Sequence, residues 1–107
     1  MTQIWAHRGA RAEAPENTLP AFELAIEQQA DGVEFDVQFT ADNELVVIHD
    51  ETVARTTDGQ GRVVAYSLAQ LQRLDASAGK PEFAGVQIPT LAQVLEVLKP
   101  TNLELNI

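Results

Sequence analysis

Short apolar runs alternate along the chain with longer segments in which apolar residues recur every three or four positions. The first longer segment predicts a helix that begins at Asn17 or Thr18, tolerates Pro20 in its first turn and continues to about Gln29. The short runs predict strands at about residues 3–7, 32–39, 45–49 and 102–107. Strands that alternate with helices indicate an α/β layer or barrel with parallel strands.

Two capping-box patterns predict further short helices. They begin at Ser67, with Gln70 three residues later, and at Thr90, with Gln93 three residues later. Apolar residues at helical spacing after each box predict core faces, at Leu68, Leu71 and Leu74 and at Leu91, Val94, Leu95 and Leu98. The polar residues 41–44 are short enough to make a hairpin of the two strands that flank them, and 50–66 and 76–89 are predicted loops, the first ending in a short apolar stretch at 63–66.

Composition excludes several classes of function. The 107 residues carry a formal net charge of -9, which argues against a nucleic-acid-binding surface and against a stable anchor on anionic membranes. The chain has no cysteine, so it has neither disulfides nor thiolate metal ligands. No leader-like or membrane-spanning apolar segment is present, and we expect a cytoplasmic protein whose oligomeric state stays open.

Four polar residues stand out against this background. His7 and His49 each close an apolar run, and Glu34 and Asp36 lie two residues apart in a predicted strand, where their side chains share one face. Carboxylates and imidazoles in this arrangement are the groups that metal-assisted acid/base chemistry uses. The alternatives are a solvated strand face for the carboxylates and simple hydrogen-bonded strand ends for the histidines.

The order of short motifs resembles the N-terminal part of the glycerophosphodiester phosphodiesterase family. The match covers almost the whole chain, through His-Arg-Gly at 7–9, Pro-Glu-Asn-Thr at 15–18, Gly-Val-Glu-Phe-Asp-Val at 32–37, Val-Val-Ile-His-Asp at 46–50, Arg-Thr-Thr at 55–57 and Ile-Pro-Thr-Leu at 88–91. The resemblance implies an α/β fold, the N-terminal part of a (β/α)₈ TIM barrel of the phospholipase-C-like phosphodiesterase type. We therefore expect residues 1–107 to be an N-terminal fragment of a single such domain.

The resemblance also implies a metal-dependent hydrolysis of small glycerophosphodiesters to glycerol 3-phosphate and an alcohol. Carried onto this sequence, it implies Glu34 and Asp36 as ligands of Mg²⁺ or Ca²⁺, His7 and His49 as the acid/base pair, and Arg8 as the phosphate-binding residue. Hard carboxylate oxygens suit these cations, imidazoles titrate near neutral pH, and an arginine fork suits phosphate. In the family the substrate's own glycerol hydroxyl is thought to attack first, giving a cyclic phosphate that water then opens.

Other polar residues near these motifs have structural interpretations. Asn17 is expected to cap the helix, Glu16 to favour the helix N-terminus, and Asp50, Arg55 and Asp58 to organise the loop after His49. The family implies a third carboxylate ligand, expected immediately after Ile107 and followed by a lysine two places later. Glu104, on the same strand face, is then expected to lie deeper in the barrel, and residues 1–107 alone are expected to be inactive.

Two other functions remain open from the sequence. One is a phospholipid head-group phosphodiesterase on the same type of barrel, which the absence of an apolar lid or a basic interfacial patch disfavours. The other is a non-catalytic binding domain, against which the retained histidines and carboxylates argue.

Overall fold

A three-stranded parallel sheet forms the centre of the molecule. The computed structural model describes residues 5–9, 11 and 13–107. The sheet has the order β1-β2-β5 and consists of β1 (Trp5–His7), β2 (Gly32–Glu34) and β5 (Glu104–Asn106). His7 is in register with Glu34, and Glu34 with Asn106, so the C-terminal ends of all three strands meet at one edge. Residues 3 and 4 of the first predicted strand lie outside the described part.

The predicted strand at 32–39 is wrong as a single element. It divides into β2, which belongs to the parallel sheet, and β3 (Val37–Phe39), which pairs antiparallel with β4 (Leu45–Val47). The predicted hairpin is confirmed, and the Asn43 turn has a positive φ of 61°. The chain leaves the sheet after Glu34 because Phe35 and Asp36 continue two different ladders: Phe35 N donates to Asn106 O, and Ile48 N donates to Asp36 O.

In the described part of the chain, three α-helices pack around these strands. They are α1 (Leu19–Glu27), α2 (Leu68–Leu71) and α3 (Leu91–Leu98). Both predicted capping boxes are confirmed: Ser67 accepts from Gln70 N, Thr90 accepts from Gln93 N, and each glutamine side chain returns the bond to the backbone. None of the helices in the described ranges is long and apolar enough to cross a membrane.

The two faces of the parallel sheet have different roles. Val33 faces α1 and α3 and belongs to a buried cluster with Phe22, Phe35 and Val94, in which the two phenylalanine rings meet edge to face at 5.4 Å. The opposite face carries His7 and Glu34 at its C-terminal edge. One residue layer below, the ring of Trp5 lies over Gly32, which leaves no room there for a larger residue. Glu104 is in register with Gly32, and its side chain is exposed.

A second core lies beneath the hairpin. β4 is buried on both faces: Val47 belongs to the first cluster, while Val46 belongs to a second cluster with Val53, Leu71 and Ile88. A continuous apolar strand is typical of an element covered on both sides. Asp58 supports this region as predicted, since its carboxylate accepts from Asp75 N at 2.9 Å. Strand β4 thus lies between two cores.

The apolar stretch at the end of the predicted loop 50–66 forms a short 3₁₀ turn at Val63–Ala65. Two local predictions are wrong. Leu95 is exposed although its spacing places it on the core face of α3. Asn17 does not cap α1. Thr18 occupies the N-cap position, but its hydroxyl donates to Pro15 O at 2.6 Å and makes no side-chain cap. Pro20 in the first turn is tolerated because that backbone nitrogen has no helical partner.

Candidate active site

His7 and Glu34 meet at the C-terminal edge of the parallel sheet. The two residues are neighbours in register on β1 and β2, and His7 Nδ1 lies 3.1 Å from Glu34 Oε1. Both side chains are partly exposed, at 58% and 40%. Because Nδ1 contacts the carboxylate, Nε2 is the ring nitrogen that remains for other partners.

The hairpin brings His49 to the site. The predicted strand at 45–49 ends at Val47, so His49 lies two residues after β4, the second strand of the antiparallel hairpin. Its position is set by the hairpin: Ile48 N donates to Asp36 O at 3.0 Å, and Gln38 Nε2 donates to His49 O at 3.2 Å. His49 Nδ1 lies 2.8 Å from Asp50 Oδ1, so this histidine also engages a carboxylate through Nδ1.

The loop after β1 holds Arg8 in an unusual backbone conformation. Arg8 and Asn17 both have φ of 57°, a left-handed value that is uncommon outside glycine, and Gly9 between them has φ of 75°. Two backbone hydrogen bonds secure the loop: Arg8 N donates to Glu34 O, and Asn17 N donates to Arg8 O at 2.7 Å. Such conformations persist only where the surrounding structure enforces them, and they cluster at functional sites.

Four charged side chains join these segments into one ion-pair network. Arg55 donates to both oxygens of Glu16, at 2.7 and 2.9 Å, and to both oxygens of Asp50, at 2.8 and 3.0 Å. Arg8 Nη1 lies farther from the Glu16 oxygens, at 3.3 and 3.4 Å. The network therefore runs from His49 through Asp50, Arg55 and Glu16 to Arg8.

The network shifts the pKa values of its members. Burial alone would raise the pKa of Glu16, but the hydrogen bonds and charge of Arg55, with a contribution from Arg8, outweigh it and lower that pKa. Arg55, and then His49, holds the pKa of Asp50 well below its usual range. Glu16 and then Asp50 raise the pKa of Arg55. All three groups are therefore charged at neutral pH.

The donor set at the end of β2 is compatible with a hard cation. Glu34 and Asp36 are both half-buried and flank Phe35, whose ring lies in the helix-side core, so in an extended chain their carboxylates lie on the opposite side. Within residues 5–9, 11 and 13–107, no three His, Cys, Asp or Glu side chains lie close enough to hold a metal ion. Mg²⁺ is commonly held by one or two carboxylates together with waters and substrate phosphate, so two carboxylates fit this cation.

The histidines and carboxylates stay predicted site residues, whereas the ion pair between Glu16 and Arg55 was not predicted from the sequence. Glu16 does not act at the helix N-terminus as expected; it accepts from Arg8 and Arg55. Arg55 does organise the loop after His49, as predicted, but it also reaches Glu16, 39 positions earlier. No local spacing could reveal that contact. The buried amide of Asn17 makes no side-chain hydrogen bond with the described residues.

A sequence profile of the glycerophosphoryl diester phosphodiesterase family matches residues 7–107. The chain is 50% identical, over 107 residues, to a glycerophosphodiester phosphodiesterase of Caldanaerobacter subterraneus, a match that covers 99% of this chain and 44% of that protein. It is also 50% identical, over 99 residues, to a glycerophosphodiester phosphodiesterase of Bacillus altitudinis, covering 92% of this chain and 40% of that protein.

Solved structures give the same relationship. The crystal structure of a glycerophosphodiester phosphodiesterase from Agrobacterium tumefaciens matches with a TM-score of 0.92 and 43% identity, over 98% of this chain and 46% of that one. A phosphodiesterase of Oleispira antarctica, in complex with the product sn-glycerol-3-phosphate, matches with a TM-score of 0.93 and 41% identity, over 99% and 43% of the two chains. The parallel strands and helices described above correspond to part of the TIM barrel of these enzymes. The chain thus spans less than half the length of these relatives.

Proposed function

Because the chain belongs to the glycerophosphoryl diester phosphodiesterase family, we propose that the protein carrying it hydrolyses glycerophosphodiesters to glycerol 3-phosphate and an alcohol. The main observation that supports the proposal is that the two histidines have the same kind of contact. Each uses Nδ1 to contact a carboxylate, Glu34 for His7 and Asp50 for His49. A carboxylate at Nδ1 orients the ring and leaves Nε2 available for proton transfer.

The roles follow from what a phosphodiester requires. One imidazole takes a proton from the attacking hydroxyl and the other gives a proton to the departing alcohol, and His7 and His49 fill these two roles. Arg8, beside His7, neutralises the phosphate, for which a guanidinium fork has the matching geometry. Which histidine acts as the acid depends on the orientation of the substrate.

We further propose that Glu34 and Asp36 hold a divalent cation, Mg²⁺ or Ca²⁺. Two half-buried carboxylates flanking a core phenylalanine support the proposal, as does Asn106, an additional oxygen donor in register with Glu34. A bound divalent cation supplies charge neutralisation for the phosphate oxygens. The contact of His7 with Glu34 then couples one acid/base residue directly to a ligand carboxylate.

The proposal is tested by measuring glycerol 3-phosphate release from glycerophosphocholine and glycerophosphoethanolamine. His7→Ala and His49→Ala are each expected to lower kcat about 10²-fold to 10⁴-fold with a much smaller effect on KM, because proton transfer acts in the transition state. Glu82→Ala, a change of an exposed side chain in the loop before α3, is the matched control. Binding of the diesters without turnover by the wild-type protein would instead indicate a non-catalytic domain.

A further inference from the structure

Arg55 lies between the two halves of the site and contacts a carboxylate on each side. We infer that Arg55 is a positioning residue: it neutralises Glu16, which leaves the charge of Arg8 available to the substrate phosphate, and it fixes Asp50 against His49. The inference rests on the proposed function, since it concerns the same phosphodiesterase site. It assigns to a residue of the loop after β4 a role in phosphate affinity and in acid/base chemistry.

The planar guanidinium of Arg55 is a fork of hydrogen-bond donors that Glu16 and Asp50 share. Its guanidinium makes four hydrogen bonds of 2.7–3.0 Å, two to Glu16 and two to Asp50. Charge-assisted bonds of this length are the strong class of protein hydrogen bond, and a planar guanidinium can serve two carboxylates at once. A lysine at this position has a point charge and cannot reproduce the fork.

The contacts of Glu16 show which arginine it favours. Its oxygens lie at 2.7 and 2.9 Å from Arg55 but at 3.3 and 3.4 Å from Arg8, and its side chain is only 11% exposed. A largely buried carboxylate needs a cationic partner. If Arg55 were absent, Arg8 would be the remaining cation beside Glu16, and Glu16 would then compete with the substrate phosphate for it. With Arg55 present, the charges of the two arginines balance those of the two carboxylates, Glu16 and Asp50; without it, the remaining three side chains carry a net charge of -1.

The second consequence concerns His49. Asp50 Oδ1 contacts His49 Nδ1 at 2.8 Å, while both Asp50 oxygens also accept from Arg55. Arg55 therefore holds in place the Asp50 carboxylate that contacts the imidazole. In the described part of the chain, His49 and Arg55 are the charged or titratable groups that contact Asp50, with Glu16 on the far side of Arg55. The low pKa of Asp50, caused by Arg55 first and His49 second, agrees with this arrangement.

A merely structural role for Arg55 is the competing interpretation, because the fork also ties the loop after β4 to the loop before α1. The two interpretations predict different rescues. If Arg55 acts by neutralising Glu16, then removing the charge of Glu16 restores phosphate binding in the absence of Arg55. If Arg55 only ties the loops together, Glu16→Gln removes a second attachment point and restores nothing.

The experiment compares wild type, Arg55→Ala, Arg55→Lys and the double variant Arg55→Ala/Glu16→Gln in the protein that carries this chain. The inhibition constant of inorganic phosphate reports on Arg8 directly, and KM and kcat are measured with glycerophosphocholine. Arg55→Ala is expected to raise the inhibition constant and KM about tenfold to a hundredfold, as for loss of a charged hydrogen-bonding partner. The double variant is expected to recover at least half of the lost phosphate affinity, measured on a logarithmic scale. Its kcat is expected to stay as low as that of Arg55→Ala, because Asp50 still lacks Arg55 as a partner.

The pH profile provides a readout that a purely structural tie would not move. Arg55 lowers the pKa of Asp50, so its removal returns that pKa toward the ordinary carboxyl value and Asp50 loses its charge at a higher pH. In the pH range where ordinary carboxyl groups titrate, kcat/KM is therefore expected to fall further in Arg55→Ala than in wild type. Arg73→Ala is the matched control, because Arg73 is exposed and its side chain makes no ion pair with the described residues.

Two outcomes would overturn the inference while leaving the proposed function intact: an active wild type whose phosphate inhibition constant is unchanged in Arg55→Ala, or a double variant no better than the single one. If Arg55→Ala does not fold, the kinetics of Arg55→Lys test the positioning role of Arg55 instead. It is expected to lower kcat and to lose more kcat/KM than wild type in the carboxyl pH range, because a lysine cannot hold both carboxylates. Wild-type kinetics in Arg55→Lys would refute the role of the fork. An inactive wild type would refute the proposed function itself.

Discussion

Gly9 provides a sensitive test of how closely the Arg8 loop packs against α1. Gly9 has φ of 75°, and a Cβ added there would lie 2.8 Å from the Cβ of Ala21 and 2.9 Å from its backbone carbon. Gly79 has nearly the same backbone conformation, with φ of 79°, but nothing lies within 4 Å of an added Cβ. The two positions therefore share the conformational penalty of an alanine substitution and differ in its steric consequence.

The expected magnitudes follow from these distances. A left-handed alanine costs about 1–2 kcal/mol, and the lower entropy of the unfolded chain returns about 0.4–1 kcal/mol of this. Gly79→Ala should therefore lower the free energy of unfolding by about 1 kcal/mol or less. Gly9→Ala also forces backbone to move, because Ala21 lies in the helix and cannot rotate away, and overpacking of this kind adds about 1–3 kcal/mol. We expect a total loss of about 2–4 kcal/mol at Gly9.

Urea unfolding of the protein that carries this chain, followed by the fluorescence of Trp5, measures both variants, because the Trp5 ring packs in the parallel sheet over Gly32. Gly9→Ala should also raise KM for the diester, since the loop that moves carries Arg8, while Gly79→Ala should leave KM unchanged. Unfolding free energies for the two variants within about 0.5 kcal/mol of each other would show that the Gly9 loop does not pack as closely as described.

Two other predictions concern the metal proposal and helix α3. Excess chelator should abolish turnover, and Mg²⁺ should restore it. Titration calorimetry should show much weaker Mg²⁺ binding to Asp36→Asn than to the control Glu82→Gln, whose side chain is exposed. Full activity in chelator would reject the assignment of the metal ligands. Thr90→Ala removes the hydroxyl that accepts from Gln93 N at 3.0 Å, and it should lower the free energy of unfolding in urea by about 0.5–2 kcal/mol; an unchanged midpoint would mean that the cap does not contribute.

Features set by neighbouring residues could be predicted from the sequence. The capping boxes at Ser67 and Thr90 form as expected because the partners lie three residues apart on one helical turn. The hairpin at 41–44 follows from a short polar turn between apolar runs. His7 and Glu34 could be placed at a strand end because alternation along a strand is local.

Features set by distant residues could not be predicted. The break between β2 and β3 depends on Asn106, which pairs with Phe35 from 71 positions later, and on Ile48, which pairs with Asp36. Nothing in the apolar pattern of 32–39 marks that change of partner, because both halves have the same alternation.

The sequence by itself determined which residues are candidates for the site, since its histidines, carboxylates and arginine occur in an order that resembles the family's motifs. Only the tertiary structure decided how these groups are coupled. From the sequence, Glu16 is predicted to act at the helix N-terminus. In the structure it pairs with Arg55, which lies 39 positions later in the chain. Ion pairs depend on distances of a few ångströms between side chains, and when the partners come from separate loops those distances arise only once the cores beneath them have packed.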